Sequence, residues 1–139
     1  MDKIALVSCV GKKQPYPCAA KDLYQSTWFI KAKAYVEKHY SIWFILSAQH
    51  GLVEPSDVIS PYEKTLKSIP SEARKEWAQN VFAEVKRLTN NSSEVHIFAG
   101  EMYREYLIPK LNDAEYVVVI PLKGLAIGKQ LSWFNDHVS

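Results

Sequence analysis

Four short, nearly continuous apolar runs set the frame of this chain: Ile4–Val7, Ile42–Leu46, Val95–Ala99 and Tyr116–Ile120. Each is too short for a buried helix and none alternates strictly, so each reads as a strand buried on both faces. Between them lie stretches with helical spacing. Ser26 is placed to cap a helix from about Thr27 to Lys38, with Trp28, Ala32, Tyr35 and Val36 on one face. Ser71 is placed to cap a second, reaching about Leu88, with Trp77, Val81, Phe82, Val85 and Leu88 inward and an end at Asn90-Asn91-Ser92-Ser93. A third is expected from Glu101 to about Leu111, with Tyr103, Tyr106, Leu107 and Leu111 inward. Gly124–Val138 contains a final amphipathic helix carrying Leu131 and Phe134. Strands alternating with helices predict an α/β fold: three-layer α/β/α, with a four-stranded, mainly parallel sheet. Pro55, Pro61 and Pro70 punctuate residues 48–70, which are expected to form a long loop of the kind that carries function.

Composition bounds the function. At 139 residues the chain suits a single domain, 1–139. Its 47% apolar and 23% charged content excludes a disordered chain. A net charge of +2, from 17 Lys+Arg against 15 Asp+Glu, excludes a histone-like wrapper and leaves room for a local basic patch. Two cysteines make no disulfide framework, and no apolar run approaches the roughly 20 residues of a membrane span. The opening Met-Asp-Lys-Ile-Ala-Leu-Val reads as a strand rather than a signal peptide. A cytoplasmic protein with no membrane partner is expected.

In open parallel sheets, ligands bind outside the carboxyl ends of the strands. Here those ends deliver Ser8, Cys9, Gly11, Lys12 and Lys13, then Ser47 to Gly51, then Gly100 and Glu101, then Pro121 to Gly124. Cys9 reads either as a nucleophile with a lysine-lowered pKa or as a small buried hydrophobe. Gly11-Lys12-Lys13 suits an anion but lacks the Walker A spacing; its other reading is a solvated turn. His50, followed by Gly51, either aims an imidazole at the crevice for acid–base work or hydrogen-bonds its loop. Glu101 serves as a general base or ribose-hydroxyl acceptor, or simply suits a helix start. Tyr16, Tyr24, Tyr62 and Tyr103 lie where they can stack a base, and Ser8, Ser47, Gly51 and Gly100 flank them as ligand contacts. Cys9 and Cys18, nine apart, and scattered His39, His96 and His137 have no metal-ligand spacing, so no metal and no cofactor is predicted.

The runs Leu6–Lys13, Ala20–Tyr24, Phe44–Val53 and Pro61–Leu66, with Ala99–Tyr103 and Pro121–Gly128, resemble an uncharacterised prokaryotic and phage domain family over nearly the whole chain. Cys9-Val10-Gly11-Lys12-Lys13-Gln14-Pro15-Tyr16 is also similar to the Pro-Cys-x-x-x-Lys-Pro-Tyr motif in the core domain of archaeosine synthase. That enzyme modifies a deazaguanine base in transfer RNA, and its core resembles uracil-DNA glycosylases in fold. The motif's cysteine maps to Cys9, its lysine to Lys13, and its proline and tyrosine to Pro15 and Tyr16. Ser8 stands where the motif has proline, and Gln14 intervenes between lysine and proline.

Together these readings predict a nucleobase- or nucleotide-processing enzyme, a glycosylase-like hydrolase or base-modifying transferase. It would act on an N-glycosidic bond or a modified base in a nucleoside, nucleotide or nucleic acid. His50, Glu101 and Cys9 would be catalytic, with Lys12 or Lys13 holding phosphate. The alternative is a non-catalytic module binding a nucleotide or nucleic-acid end in the same crevice, and a third is core packing with the function in a partner protein. The oligomeric state is not legible from the sequence.

Overall fold

The computed structural model describes residues 3–9, 11–89 and 93–138. Strand β1 (Lys3–Ser8) is followed by the short β2 (Cys18–Ala19), one turn of helix α1 (Ala20–Leu23), helix α2 (Thr27–His39) and strand β3 (Ile42–Ser47). Next come β4 (Gly51–Val53), β5 (Val58–Ile59), a 3-10 turn at Leu66–Ser68 and the long helix α3 (Ser71–Leu88). Strand β6 (Glu94–Phe98), helices α4 (Glu101–Arg104) and α5 (Leu107–Asp113), strand β7 (Val117–Val119) and helix α6 (Ile127–His137) complete the chain.

The fold is mixed α/β. Its main sheet has the order β4-β3-β1-β6-β7. β1 pairs in parallel with both β3 and β6, and β6 pairs in parallel with β7. The sheet has five strands rather than the expected four. β4 runs antiparallel to β3, with Ser47 opposite Gly51, and β2 pairs antiparallel with β5 in a separate two-stranded ribbon. Residues 48–70, expected as a loop, therefore contribute a strand to each sheet. Gly-Leu-Val is too short to show a period, and its pairing is made possible by the turn in front of it: Gly51 has φ +73, a left-handed conformation that suits glycine.

Alternating side chains of β1 supply two cores. Ile4 and Leu6 pack with Trp77, Val81 and Val85 of α3 and with Leu107 and Leu111 of α5. Ala5 and Val7 pack with Phe29, Ala32 and Val36 of α2 and Phe134 of α6. The unbroken apolar run Ile4–Val7 is thus accounted for by burial on both sides of the sheet.

The helices form where expected, with local corrections. Ser26 caps α2, its hydroxyl accepting from the Phe29 N–H at 3.2 Å. The buried face of α2 is Phe29, Ala32 and Val36, while Trp28 and Tyr35 lie half-buried at its border. Ser71 is not a cap: Pro70 holds that position, Ser71 is already helical, and no side chain caps the end. Leu88 is exposed at the last turn of α3, and the expected Asn90-Asn91-Ser92 terminator lies outside the described residues. The helix expected over Glu101–Leu111 is broken into α4 and α5. Pro109 explains the break, because it has no N–H to give the Glu105 carbonyl and its ring crowds that group. It sits instead in the first turn of α5, where the missing donor costs little.

Ile97 of β6 is fully buried in the first core, while Val117 on the edge strand is 45% exposed. Ile97→Ala should cost about 2–5 kcal/mol, and Val117→Ala about 0.5 kcal/mol. Equal shifts in the two urea midpoints would contradict the core described here.

Candidate functional site

The parallel registers bring the strand ends to one edge: Ser8 lies opposite Leu46, Val7 opposite Phe98, and His96 opposite Val119. β1 connects onward to β3 on one side, and β6 to β7 on the other, so the connections reverse between β1 and β6. Cys9 follows β1 directly at that point, and the chain then turns through Gly11 at φ +88. The loop is pinned as a short antiparallel pairing. The Gln14 N–H donates to the Leu23 carbonyl at 2.8 Å and the Gln25 N–H to the Lys12 carbonyl at 2.8 Å. Lys13, between those two bonds, has its own N–H and C=O directed out of the ladder.

Across from this loop runs the segment 61–65. The two enclose a cleft of about 610 Å³, lined by Cys9, residues 11–15 and residues 61–65. Its walls carry Lys12, Lys13 and Lys64 against one carboxylate, Glu63. The Lys13 ammonium sits 4.5 Å from the Tyr62 ring centroid and 5.7 Å from that of Tyr24, within cation–π range of both.

Below the lysine is a hydrogen-bonded cluster of neutral groups. Ser47, fully buried at the end of β3, donates its hydroxyl to Tyr62 Oη at 2.8 Å and accepts the His50 N–H at 3.0 Å. The Tyr62 hydroxyl lies 2.7 Å from Tyr24 Oη and 3.8 Å from Cys9 Sγ. With Ser47 donating to Tyr62, the Tyr62 hydrogen is free for Tyr24. The Cys9 thiol donates to the Leu46 carbonyl at 3.1 Å, and the Trp77 indole N–H donates to the Ser47 carbonyl at 2.9 Å. Burial pushes the Cys9 thiol up to about 11, overriding the lowering by Tyr24, Tyr62 and, last, Lys13. The Tyr24 and Tyr62 phenols are likewise raised, chiefly by burial and then by the neighbouring thiol. At neutral pH the floor is therefore a thiol and two phenols, all protonated.

The sequence-predicted residues divide accordingly. Cys9, Gly11, Lys12, Lys13 and Tyr62 line the cleft; Tyr24 and Ser47 support it from beneath, and Ser8 is buried beside it. The lowered thiol pKa expected for Cys9 is corrected, since desolvation outweighs the lysine. His50 is exposed in the turn before β4, its ring 5.4 Å from that of Tyr62 and edge-on to it. His50 thus borders the cluster without lining the cleft. Gly51 pairs with Ser47 in the sheet. Gly100 and Glu101 are exposed at the start of α4 and do not line this cleft, and Tyr16 is half exposed outside it. Tyr103 is buried against Trp77, ring centroids 5.5 Å apart, and its hydroxyl has no hydrogen-bond partner among the described residues. Sequence reasoning missed Lys64, Glu63 and Thr65, which the fold sets opposite a loop some fifty positions earlier. Their local signal was the run Pro61–Leu66, which carries the family resemblance and contains Tyr62, the one residue of it that was expected at the site. Among the described residues no group of His, Cys, Asp and Glu is placed to hold a metal, and no helix is long and apolar enough to cross a membrane.

The fold and site define an open, mostly parallel α/β sheet with a lysine-walled cleft at its carboxyl edge. By sequence the chain belongs to a family of unknown function, DUF6884, which it matches over residues 4–136. It is similar to the uncharacterized protein YfjM of Bacillus subtilis (strain 168), 25% identical over 130 residues, covering 84% of this chain and 82% of that protein. No solved structure matches it.

Because Cys9, Tyr24 and Tyr62 ionise less readily when folded, their contribution to stability is complete below the unfolded pKa values and is lost above them. For Cys9 that window runs from the ordinary 9.0 to about 11. The urea midpoint should fall as pH rises through this window, and Tyr62→Phe, which leaves Ser47 without its acceptor, should cost about 1–3 kcal/mol at neutral pH. A midpoint that rises above pH 9 would show a thiolate stabilised by Lys13 instead.

Proposed function

We propose that the protein is a nucleotide-processing enzyme that takes a nucleoside, a nucleotide or a nucleic-acid end into the cleft and acts on its N-glycosidic bond or on a modified base. The observation that carries this reading is the convergence of Lys12, Lys13 and Lys64 on one cleft above a floor of neutral hydroxyls. Ammonium groups supply the charge that holds a phosphate, and the Tyr62 ring, in the cleft lining, supplies a surface on which a base stacks. The similarity of Cys9–Tyr16 to the archaeosine synthase motif supports the base-modifying arm in part: Cys9, Lys13 and Pro15 line the cleft, whereas Tyr16 does not. This reading also takes the helices as a three-layer α/β/α arrangement with a glycosylase-like scaffold, and places the protein in the cytoplasm.

In bond cleavage, water adds at the anomeric carbon while the C–N bond breaks and the base leaves with the electron pair. Positive charge builds on the sugar and negative charge on the base, so an anion must face the first and a donor the second. His50, at the rim beside Tyr62, is the donor that would protonate the departing base. Glu63 stands in the cleft wall and is better placed for the anion role than the expected Glu101. The neutral, buried Cys9 is a packing and hydrogen-bonding group in this scheme rather than a nucleophile.

A second reading, a non-catalytic nucleotide-binding module, is favoured by one observation: neither His50 nor Glu101 lines the cleft. Turnover by wild type and variants on a panel of nucleosides, nucleotides and modified oligonucleotides separates the two. For an enzyme, His50→Ala should lower turnover about 10²–10⁴-fold with ligand affinity little changed. Changing Lys12 and Lys13 together to alanine should weaken anionic-ligand binding and flatten its salt dependence. Binding with no turnover by the wild type selects the module; an unchanged affinity and salt slope in the lysine variant removes both readings.

A further inference from the structure

A second opening lies along the same edge, between the ends of β6 and β7. It is a cavity of about 80 Å³ whose lining includes Gly100, Arg104, Lys123, Gly124 and Gln130, with no Asp or Glu among its lining residues. Its cationic charge is therefore uncompensated from within. Arg104 Nε is buried and has no hydrogen-bond partner among the described residues. Two acceptors, one next in sequence and one in the same lining, are committed elsewhere, while Glu101 is exposed and not among the lining residues. Glu105 Oε1 accepts from Arg74 Nε at 3.0 Å, and Gln130 Oε1 accepts from the Trp28 indole N–H at 2.8 Å. A guanidinium has five N–H donors and no acceptor function. Burying one of those donors without a partner costs desolvation, a cost that an anionic acceptor in the cavity offsets through a charge-assisted hydrogen bond.

The surrounding backbone is open to such a group. A Cβ at Gly100 or Gly124 would meet nothing within 4 Å. Gly124 holds φ +83 in the turn closed by the Leu125 N–H donating to the Leu122 carbonyl at 3.1 Å, a left-handed conformation that favours glycine. Helix α6, eleven residues long, starts beside the cavity with no side chain capping its first turn, and the positive end of its dipole adds to the field.

We propose that this cavity is a second oxyanion site, in which Arg104 is the principal ligand and Lys123 the supporting cation, sized for one phosphoryl group. It is distinct from the cleft at Lys12, Lys13 and Lys64, and it does not depend on the nucleotide reading of that cleft. Free phosphate and a phosphate ester share the chemistry and differ in what must fit outside the cavity.

The test is an amide and arginine-side-chain NMR titration of the full chain with inorganic phosphate, then with a nucleoside monophosphate, each against chloride at equal ionic strength. Phosphate should produce saturable shifts at Gly100, Gly124 and the Arg104 Nε–H, at an affinity about tenfold or more weaker in Arg104→Gln. Lys123→Ala, a change at an exposed residue, should weaken the same response several-fold with the fold intact. Alanine at both Lys12 and Lys13 should leave it unchanged, which keeps this outcome separate from the fate of the cleft. A response to the monophosphate alone assigns the site to an ester; a response to both assigns it to the phosphoryl group itself. Shifts that chloride reproduces, that survive both Arg104→Gln and Lys123→Ala, or that never appear would overturn the proposal.

Discussion

The parallel pairing of β1 on both of its edges is the constraint on which the rest of the structure depends. β3 on one side and β6 on the other occupy its backbone groups, while its side chains from Ile4 to Val7 are all buried and divide between two cores. A slip of one residue would exchange Ile4 and Leu6 with Ala5 and Val7 and spoil the volume of both cores at once. The register is therefore fixed, and with it the height at which the chain leaves the sheet. Cys9 follows at the edge where the connections reverse, and Gly11 turns the two lysines back over it. The position of the cleft is thus a consequence of strand packing rather than of any local motif.

The chemistry of the cleft follows from the depth of its floor. Ser47, itself fully buried, ends a strand that is buried from Trp43 onward, so its hydroxyl and carbonyl must be satisfied internally, and Tyr62, His50 and Trp77 do so. That obligation ties together the end of β3, the loop at residues 61–65 and helix α3. It also removes water from around the Cys9 thiol, which is why the thiol stays protonated beneath a lysine. The positive charge remains at the mouth, where the ammonium groups keep access to solvent. A cationic rim over a neutral, hydrogen-bonding floor discriminates by charge outside and by shape within.

The sequence by itself determined the alternation of strands and helices, because apolar runs of four or five residues and helical spacing are local signals. It determined the Ser26 cap, and it placed Cys9, Gly11, Lys12, Lys13 and Tyr62 at the candidate site. Tertiary structure decided the rest. Gly51–Val53 becomes a strand only because β3 offers a free edge to a chain that has just turned at a left-handed glycine. The break before Pro109 is a local effect of the missing donor, but the way both pieces still bury Tyr103, Leu107 and Leu111 is set by the core they pack on. Lys64 and Glu63 enter the cleft through contacts across some fifty residues, and no local pattern encodes such a distance. The protonation of Cys9 is likewise not local: adjacent lysines argue for a thiolate, and only the packing of three separate segments around the sulfur, excluding water, reverses that sign.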